Sequence, residues 1–280
     1  MKLLVTAWPV GSREGRVYVV DLSRGRTTLA LKHDVQLRGM VEFEGAPHVA
    51  AVDGTIYRLT RSGKVFDLRE VARVPGVAKP DVHDLYLDRG RLAAVCTGVE
   101  SCCVFGPDGV TWTAPLGKDE RHLNSRLVTS KGVVYEGIFT LEGRRPTETW
   151  TEWRLRVPDD RAGGVALVKD GVRHCVNGGR CVHSLRELPG GRLAWCDTMR
   201  HAVVIGVAAG TEAVPMFGLP RGLRKLSDGR IAVGLTASRY PDVVGGAVGV
   251  QMLDGATGRT VGCVAWRSEM EVYDVLEWKP

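Results

Sequence analysis

Residues 183–198 read HSLRELPGGRLAWCDT, and residues 221–236 read RGLRKLSDGRIAVGLT. Laid over one another, the two stretches share Leu185/Leu223, Arg186/Arg224, Leu188/Leu226, Gly191/Gly229, Arg192/Arg230, Ala194/Ala232 and Thr198/Thr236. Each is a short apolar strand, a turn containing glycine and a second apolar strand. They differ at the first residue, which is His183 in one copy and Arg221 in the other. A position that changes while its surroundings repeat does not serve the shared scaffold.

The same pattern runs through the chain. It returns as HDLYLDRGRLAAVCT from His83, as HLNSRLVTSKGVVYEG from His122 and as RGMVEFEGAPHVAAVDG from Arg38. At the C-terminus VYDVLEW supplies a first strand, around Tyr273, and nothing follows. Further strand-like runs lie between these starts, such as SCCVFGPDG and VTWTAPL after the His83 unit. Four strands in units of roughly 40 to 60 residues are the mark of propeller blades. The last unit lacks three strands, and KLLVTAW, RVYVVDLSRG and TTLALKHD at the N-terminus supply them. The expected fold is therefore all-β: one six-bladed β-propeller over residues 1–280, closed by joining both chain ends in one blade, which removes an open sheet edge. Two β-sandwiches are the alternative, but no linker divides the chain. The irregular stretch 141–164 reads as a lid-like insertion inside the third unit.

Composition agrees with a globular chain. Hydrophobic residues make up 44% and charged residues 25%, which supports a sizeable core. No apolar run approaches the roughly 18 residues that span a bilayer. The opening MKLLVTAWPVGSREG has too short an apolar run for a signal peptide, so a cytoplasmic location is expected. Seven cysteines, two of them adjacent at Cys102 and Cys103, read as reduced thiols, with Cys102, Cys103, Cys196 and Cys263 in the core. The net charge is +6, but the basic residues are scattered among turns and form no stripe with aromatics. Nucleic acid is not the expected partner.

In a propeller the first strand of every blade lines the central channel, so the six starts converge at one mouth. They read Arg38, His83, His122, His183, Arg221 and Tyr273. Seven histidines in 280 residues would place roughly 0.15 at six positions by composition alone. Three imidazoles around an axis can hold a divalent transition metal, with Zn, Fe, Cu or Mn suited better than Ca. His83, His122 and His183 are the candidate ligands. Asp84, Asn124, Ser184, Glu271 and Asp274 are candidates to orient them or to bind substrate. Arg38 and Arg221 suit a carboxylate or phosphate clamp, and Tyr273 a proton donor. Trp8, Trp150, Trp153, Arg239 and Tyr240, on long loops of the same face, are candidate pocket walls. A metal-free polar channel is the competing reading of the same residues. His33, His48, His174 and His201 read as structural or solvated.

The runs DVHDLYLDRGRLAAVCTGVESCCVF, RHLNSRLV, VHSLRELPGGRLAW, LPRGLRKLSDGRIAVGLTASR and EVYDVLEW, in that order, resemble a bacterial propeller family of uncharacterised function. The likeness covers roughly residues 80 to 278. It implies a propeller, with histidines at the positions of His83, His122 and His183 and an Arg-Gly pair at Arg221–Gly222. More distantly the architecture is similar to gluconolactonase-like and strictosidine-synthase-like propellers and to the streptogramin lyase. The expected function is a metal-dependent enzyme, a lyase, hydrolase, isomerase or oxygenase, acting on a small polar molecule or peptide at the channel mouth. The alternative is a non-catalytic scaffold that binds a peptide or protein partner.

Overall fold

The computed structural model describes residues 1–140, 142–145, 147–157, 163–207, 210–238, 246–266 and 269–279, with backbone alone at 150, 151, 154 and 207. Six four-stranded antiparallel sheets form the six blades of a β-propeller. Blade 1 contains β1 (Lys2–Pro9), β2 (Gly15–Asp21) and β3 (Arg26–His33). Blade 2 is β4 (Leu37–Phe43), β5 (Ala46–Ala51), β6 (Thr55–Ser62) and β7 (Val65–Arg73). Blade 3 is β8 (Val82–Asp88), β9 (Arg91–Cys96), β10 (Ser101–Gly106) and β11 (Gly109–Trp112). Blade 4 is β12 (Leu123–Val128), β13 (Val134–Ile138), β14 (Gly164–Lys169) and β15 (Val172–Gly178), with a helix, α1 (Trp150–Arg156), between its second and third strands. Blade 5 is β16 (Val182–Glu187), β17 (Leu193–Asp197), β18 (Ala202–Val207) and β19 (Gly210–Pro215). Blade 6 is β20 (Leu219–Lys225), β21 (Ile231–Thr236), β22 (Gly249–Leu253) and β23 (Thr260–Ala265). The last strand, β24 (Met270–Trp278), pairs antiparallel with β1 from Lys2↔Trp278 to Pro9↔Met270 and completes blade 1 as its inner strand.

Local chemistry explains the blades. Inner and second strands are buried on both faces, so they read as nearly continuous apolar runs. Outer strands such as β7 and β23 are largely exposed. Among the described residues, three two-residue hairpins turn on a pair with positive φ at both places, Glu44–Gly45, Arg89–Gly90 and Asp170–Gly171. That geometry matches strand twist and favours glycine in the second place. Between the blades lie six apolar clusters, one for each neighbouring pair. Leu223 and Ile231, for example, pack against Ala194 and Val203 between blades 5 and 6.

The insertion gains a helix, and one expectation changes. The stretch 141–164 carries α1, which Thr149 and Glu152 start with reciprocal side-chain-to-backbone bonds, and Trp153 from that helix packs on Phe139 and Val157 in a small cluster of its own. Cys263 is exposed on the outer strand β23 and does not belong to the core. No described helix is long and apolar enough to cross a membrane.

Candidate functional site

Every inner strand carries a β-bulge near its start, at Arg38–Gly39, His83, Asn124, Ser184–Leu185, Arg221 and Tyr273. A bulge bends the strand and re-aims the side chain beside it. The registers fix the equivalent positions around the axis: Val82, Val182 and Leu123 each pair with the last residue of the neighbouring strand, and the next residue is His83, His183 and Asn124. The ring is therefore Arg38, His83, Asn124, His183, Arg221 and Tyr273. His122 is displaced by two residues from the equivalence expected of it and corresponds to Asp81 and Cys181. All three of those residues have positive φ, at 55° for His122, 48° for Asp81 and 62° for Cys181.

Tyr273 is the hub. Its ring lies nearly parallel to that of His83 at 5.8 Å and edge-on to His183 at 6.4 Å, with Trp8 stacked at 5.4 Å. The guanidinium carbons of Arg221 and Arg38 stand 4.3 and 5.3 Å from its centre. His122 meets His83 edge-on at 4.8 Å. Burial pushes the Tyr273 hydroxyl up to about 12 against the pull of both arginines, so it stays protonated. His83 is held well below the ordinary imidazole value, first by burial and then by the charge of Arg38. It is neutral at neutral pH.

Its tautomer follows from a threonine. Thr97 donates its single hydroxyl proton to the carbonyl of Leu123 at 2.5 Å, so it can only accept from Nδ1 of His83. Nδ1 carries the proton and Nε2 is the acceptor nitrogen. The arrangement recurs at His183: Thr198 donates to the carbonyl of Pro220 at 2.6 Å and takes Nδ1–H at 3.0 Å, a bond shared with the carbonyl of Cys181 at 2.9 Å. Nδ1 of His122 stands 3.1 Å from both carboxylate oxygens of Asp119. Thr97, Thr198 and Asp119 are thus the groups that meet Nδ1 of the three histidines.

The two arginines are paired with acids at the rim, Arg38 with Asp81 at 2.8 Å and Arg221 with Glu271 at 3.5 Å. Yet Nε of each, the Tyr273 hydroxyl and both amide atoms of Asn124 are buried without a hydrogen-bond partner among the described residues. A pocket of about 40 Å³, lined by His122, Cys181, His183, Arg221, Ser238 and Glu271 among others, opens beside Arg221. It has room for an ion or a small polar group. Trp8 is buried against the Tyr273 ring and is not among the residues that line this pocket. Trp153 is fully buried, with Nε1 donating to the carbonyl of Glu142 at 3.0 Å. Arg239 and Tyr240 lie outside the described residues, as does the side chain of Trp150.

One layer deeper, Asp84 and Asp274 face Arg186 at 3.5 and 3.9 Å. Asp274 also accepts from the backbone of Met40 at 2.7 Å and of Val275 at 2.8 Å. Burial, against the attraction of Arg186, raises Asp84 from 3.8 to about 7. An unfolded aspartate titrates near 3.8, so folding favours the protonated form. The associated stability is complete below that value and is lost as pH rises through about 7. The melting temperature is expected to fall across this window, and Asp84→Asn is expected to flatten that slope. Parallel pH profiles for the two proteins would disprove the assignment.

Among the described residues, no group of three or more His, Cys, Asp or Glu side chains is arranged to hold a metal ion. No protein-family model and no curated protein matches the sequence. Solved structures match the fold. A chain of a nidogen/laminin complex superposes with a TM-score of 0.68 at 12% identity, covering 98% of this chain and 97% of that one. A protein of unknown function from Bacteroides caccae gives 0.63 at 11% identity, over 98% and 97% of the two chains. A protein provisionally assigned as a gluconolactonase gives 0.57 at 19% identity, over 83% and 79%. At these identities the likeness is one of architecture.

Proposed function

We propose that this propeller is an enzyme that binds a small anionic molecule at the channel mouth and moves a proton on it. The observation that carries the reading is the set of buried donors without partners among the described residues, Nε of Arg38, Nε of Arg221 and the hydroxyl of Tyr273, gathered around one ring. Buried polar atoms are seldom left unsatisfied, and a bound oxyanion would complete all three. Arg38 and Arg221 hold the anion, with Asn124 offering an amide to a second polar group. Neutral His83, its Nδ1–H fixed by Thr97, accepts a proton at Nε2. The Tyr273 hydroxyl donates one. These are the roles of a lyase or an isomerase.

A panel of small carboxylates, screened by thermal shift and then for turnover, tests this. Arg221→Gln is expected to weaken binding at least tenfold, the scale of one charge-assisted contact. His83→Gln is expected to keep binding and lose roughly 10²–10⁴ in turnover. If no carboxylate binds, or if binding is indifferent to Arg221, the scaffold reading replaces this one.

A divalent transition metal on His83, His122 and His183 is the second reading. The Nδ1 bonds of all three rings favour it, because metal-bound imidazoles commonly donate their other N–H to an oxygen. It is opposed by the finding that no three His, Cys, Asp or Glu side chains among the described residues are arranged for a metal, and by the two guanidiniums that crowd Tyr273. Elemental analysis decides: one equivalent of metal, lost in His183→Ala, installs the metal reading in place of the first.

A further inference from the structure

The channel has a second mouth, where the six inner strands end. A pocket of about 350 Å³ sits there, lined by residues from the last halves of β4, β8, β12, β16, β20 and β24. That volume is in the range of small-molecule sites. Three arginines enter it from consecutive blades: Arg126 of β12, Arg186 of β16 and Arg224 of β20. Lys225 stands on its exposed rim. Each arginine spends part of its guanidinium elsewhere. Arg126 pairs with Glu136 at 2.5 Å, Arg186 donates to Asp84 and to the carbonyl of Leu185, and Arg224 donates to the carbonyl of Met40 at 3.3 Å. What remains is telling. Nε of all three is buried with no hydrogen-bond partner among the described residues, while Nη2 of Arg186 faces Asp274 at 3.9 Å. Arg224 has no ion pair with an acid among them either.

Two carboxylates share the rim, Glu42 and Glu277, but Glu277 is engaged by the backbone N–H of Ser227 at 2.7 Å and its hydroxyl at 2.5 Å. Leu85, Leu127, Val128, Leu185 and Leu276 provide an apolar wall beside the guanidiniums. Burial and the neighbouring charge of Arg186 lower the Arg224 guanidinium to about 10, a cost that a negative charge in the pocket removes. We infer that this mouth is a binding site for a small organic oxyanion, its charged head on Arg126, Arg186 and Arg224 and its apolar body on the leucines. The site is separate from the histidine ring and stands or falls apart from it.

Isothermal titration of the full chain with butyrate, and separately with inorganic phosphate, tests the inference and distinguishes a carboxylate head from a phosphate head. At least one probe is expected to bind with a stoichiometry of one that survives Arg221→Gln at the other mouth. Arg224→Met is expected to weaken that binding about tenfold. Lys225→Glu, at an exposed position that leaves the fold undisturbed, is expected to weaken it about threefold or more through like charge. Failure of both probes to bind overturns the inference. So does binding that is unchanged in both pocket variants, or that is lost in Arg221→Gln alone.

Discussion

Removing residues 270–280 is expected to leave a chain that does not fold into a soluble protein. The deletion takes away β24, whose Val272, Val275 and Leu276 are buried in the clusters on either side of blade 1, along with Tyr273 at the centre of the ring. It also uncovers the inner edge of β1, where Leu3, Leu4 and Val5 are completely buried in the intact protein. Each fully buried side chain of this kind contributes about 1.5–3 kcal/mol. The loss therefore consumes most of the 5–15 kcal/mol that holds an ordinary domain together. A free strand edge then invites pairing between molecules. The soluble fraction on expression and a circular-dichroism melt check this. A soluble variant that melts at the wild-type temperature would mean that blade 1 does not need its fourth strand.

Gly222→Val is expected to cost about 3 kcal/mol or more, the size of effect reserved for strain in a packed interior. A β-carbon at this position would lie 2.5 Å from the Cα of Asp274 and 2.9 Å from the carbonyl oxygen of Tyr273. Both are backbone atoms of the neighbouring inner strand, which cannot step aside without moving the ring. Gly39 has the same relation to blade 3, with the backbone nitrogen of Leu85 at 2.5 Å. Gly178 provides the control: it lies at the end of an outer strand with open space where a β-carbon would go. Gly178→Ala is expected to stay within about 0.5 kcal/mol of wild type. Chemical denaturation of the three proteins measures the difference. Equal midpoints for Gly222→Val and Gly178→Ala would show that the inner strands are not in close contact.

The fold was legible because each blade repeats two apolar strands around a turn, and a repeat survives substitution at any one residue. The closure was legible because one truncated unit and three leading strands add to a whole. The site was legible in part. His83, His183 and Arg221 each follow a residue paired with the one just before a threonine, Val82↔Cys96, Val182↔Asp197 and Pro220↔Leu235, and their equivalence can be read from the shared strands. His122 misleads because Asn124, not a histidine, stands at the bulge of β12, and a bulge leaves no mark in residue type. Asp84 and Asp274 lie a layer below the mouth for the same reason: a bulge breaks the alternation that would have placed them. Thr97 and Thr198 did leave a signal, since VCT and CDT end the second strand of the two histidine blades. The helix α1 left one too, in Thr149 and Glu152 at capping distance.

The threonine relays have a consequence for how such a molecule can change over time. Thr97 and Thr198 each reach into the next blade, but what they find there is a main-chain carbonyl, of Leu123 in one case and of Pro220 in the other. Any amino acid supplies that oxygen, proline included. The imidazole and its anchor are therefore inherited together in one blade and ask nothing of the neighbour's side chains. A gene duplication that copied this blade would carry an oriented base to a new place around the axis with no matching mutation needed there. The histidine and threonine form a transferable cassette, and two blades with unlike neighbours already hold it.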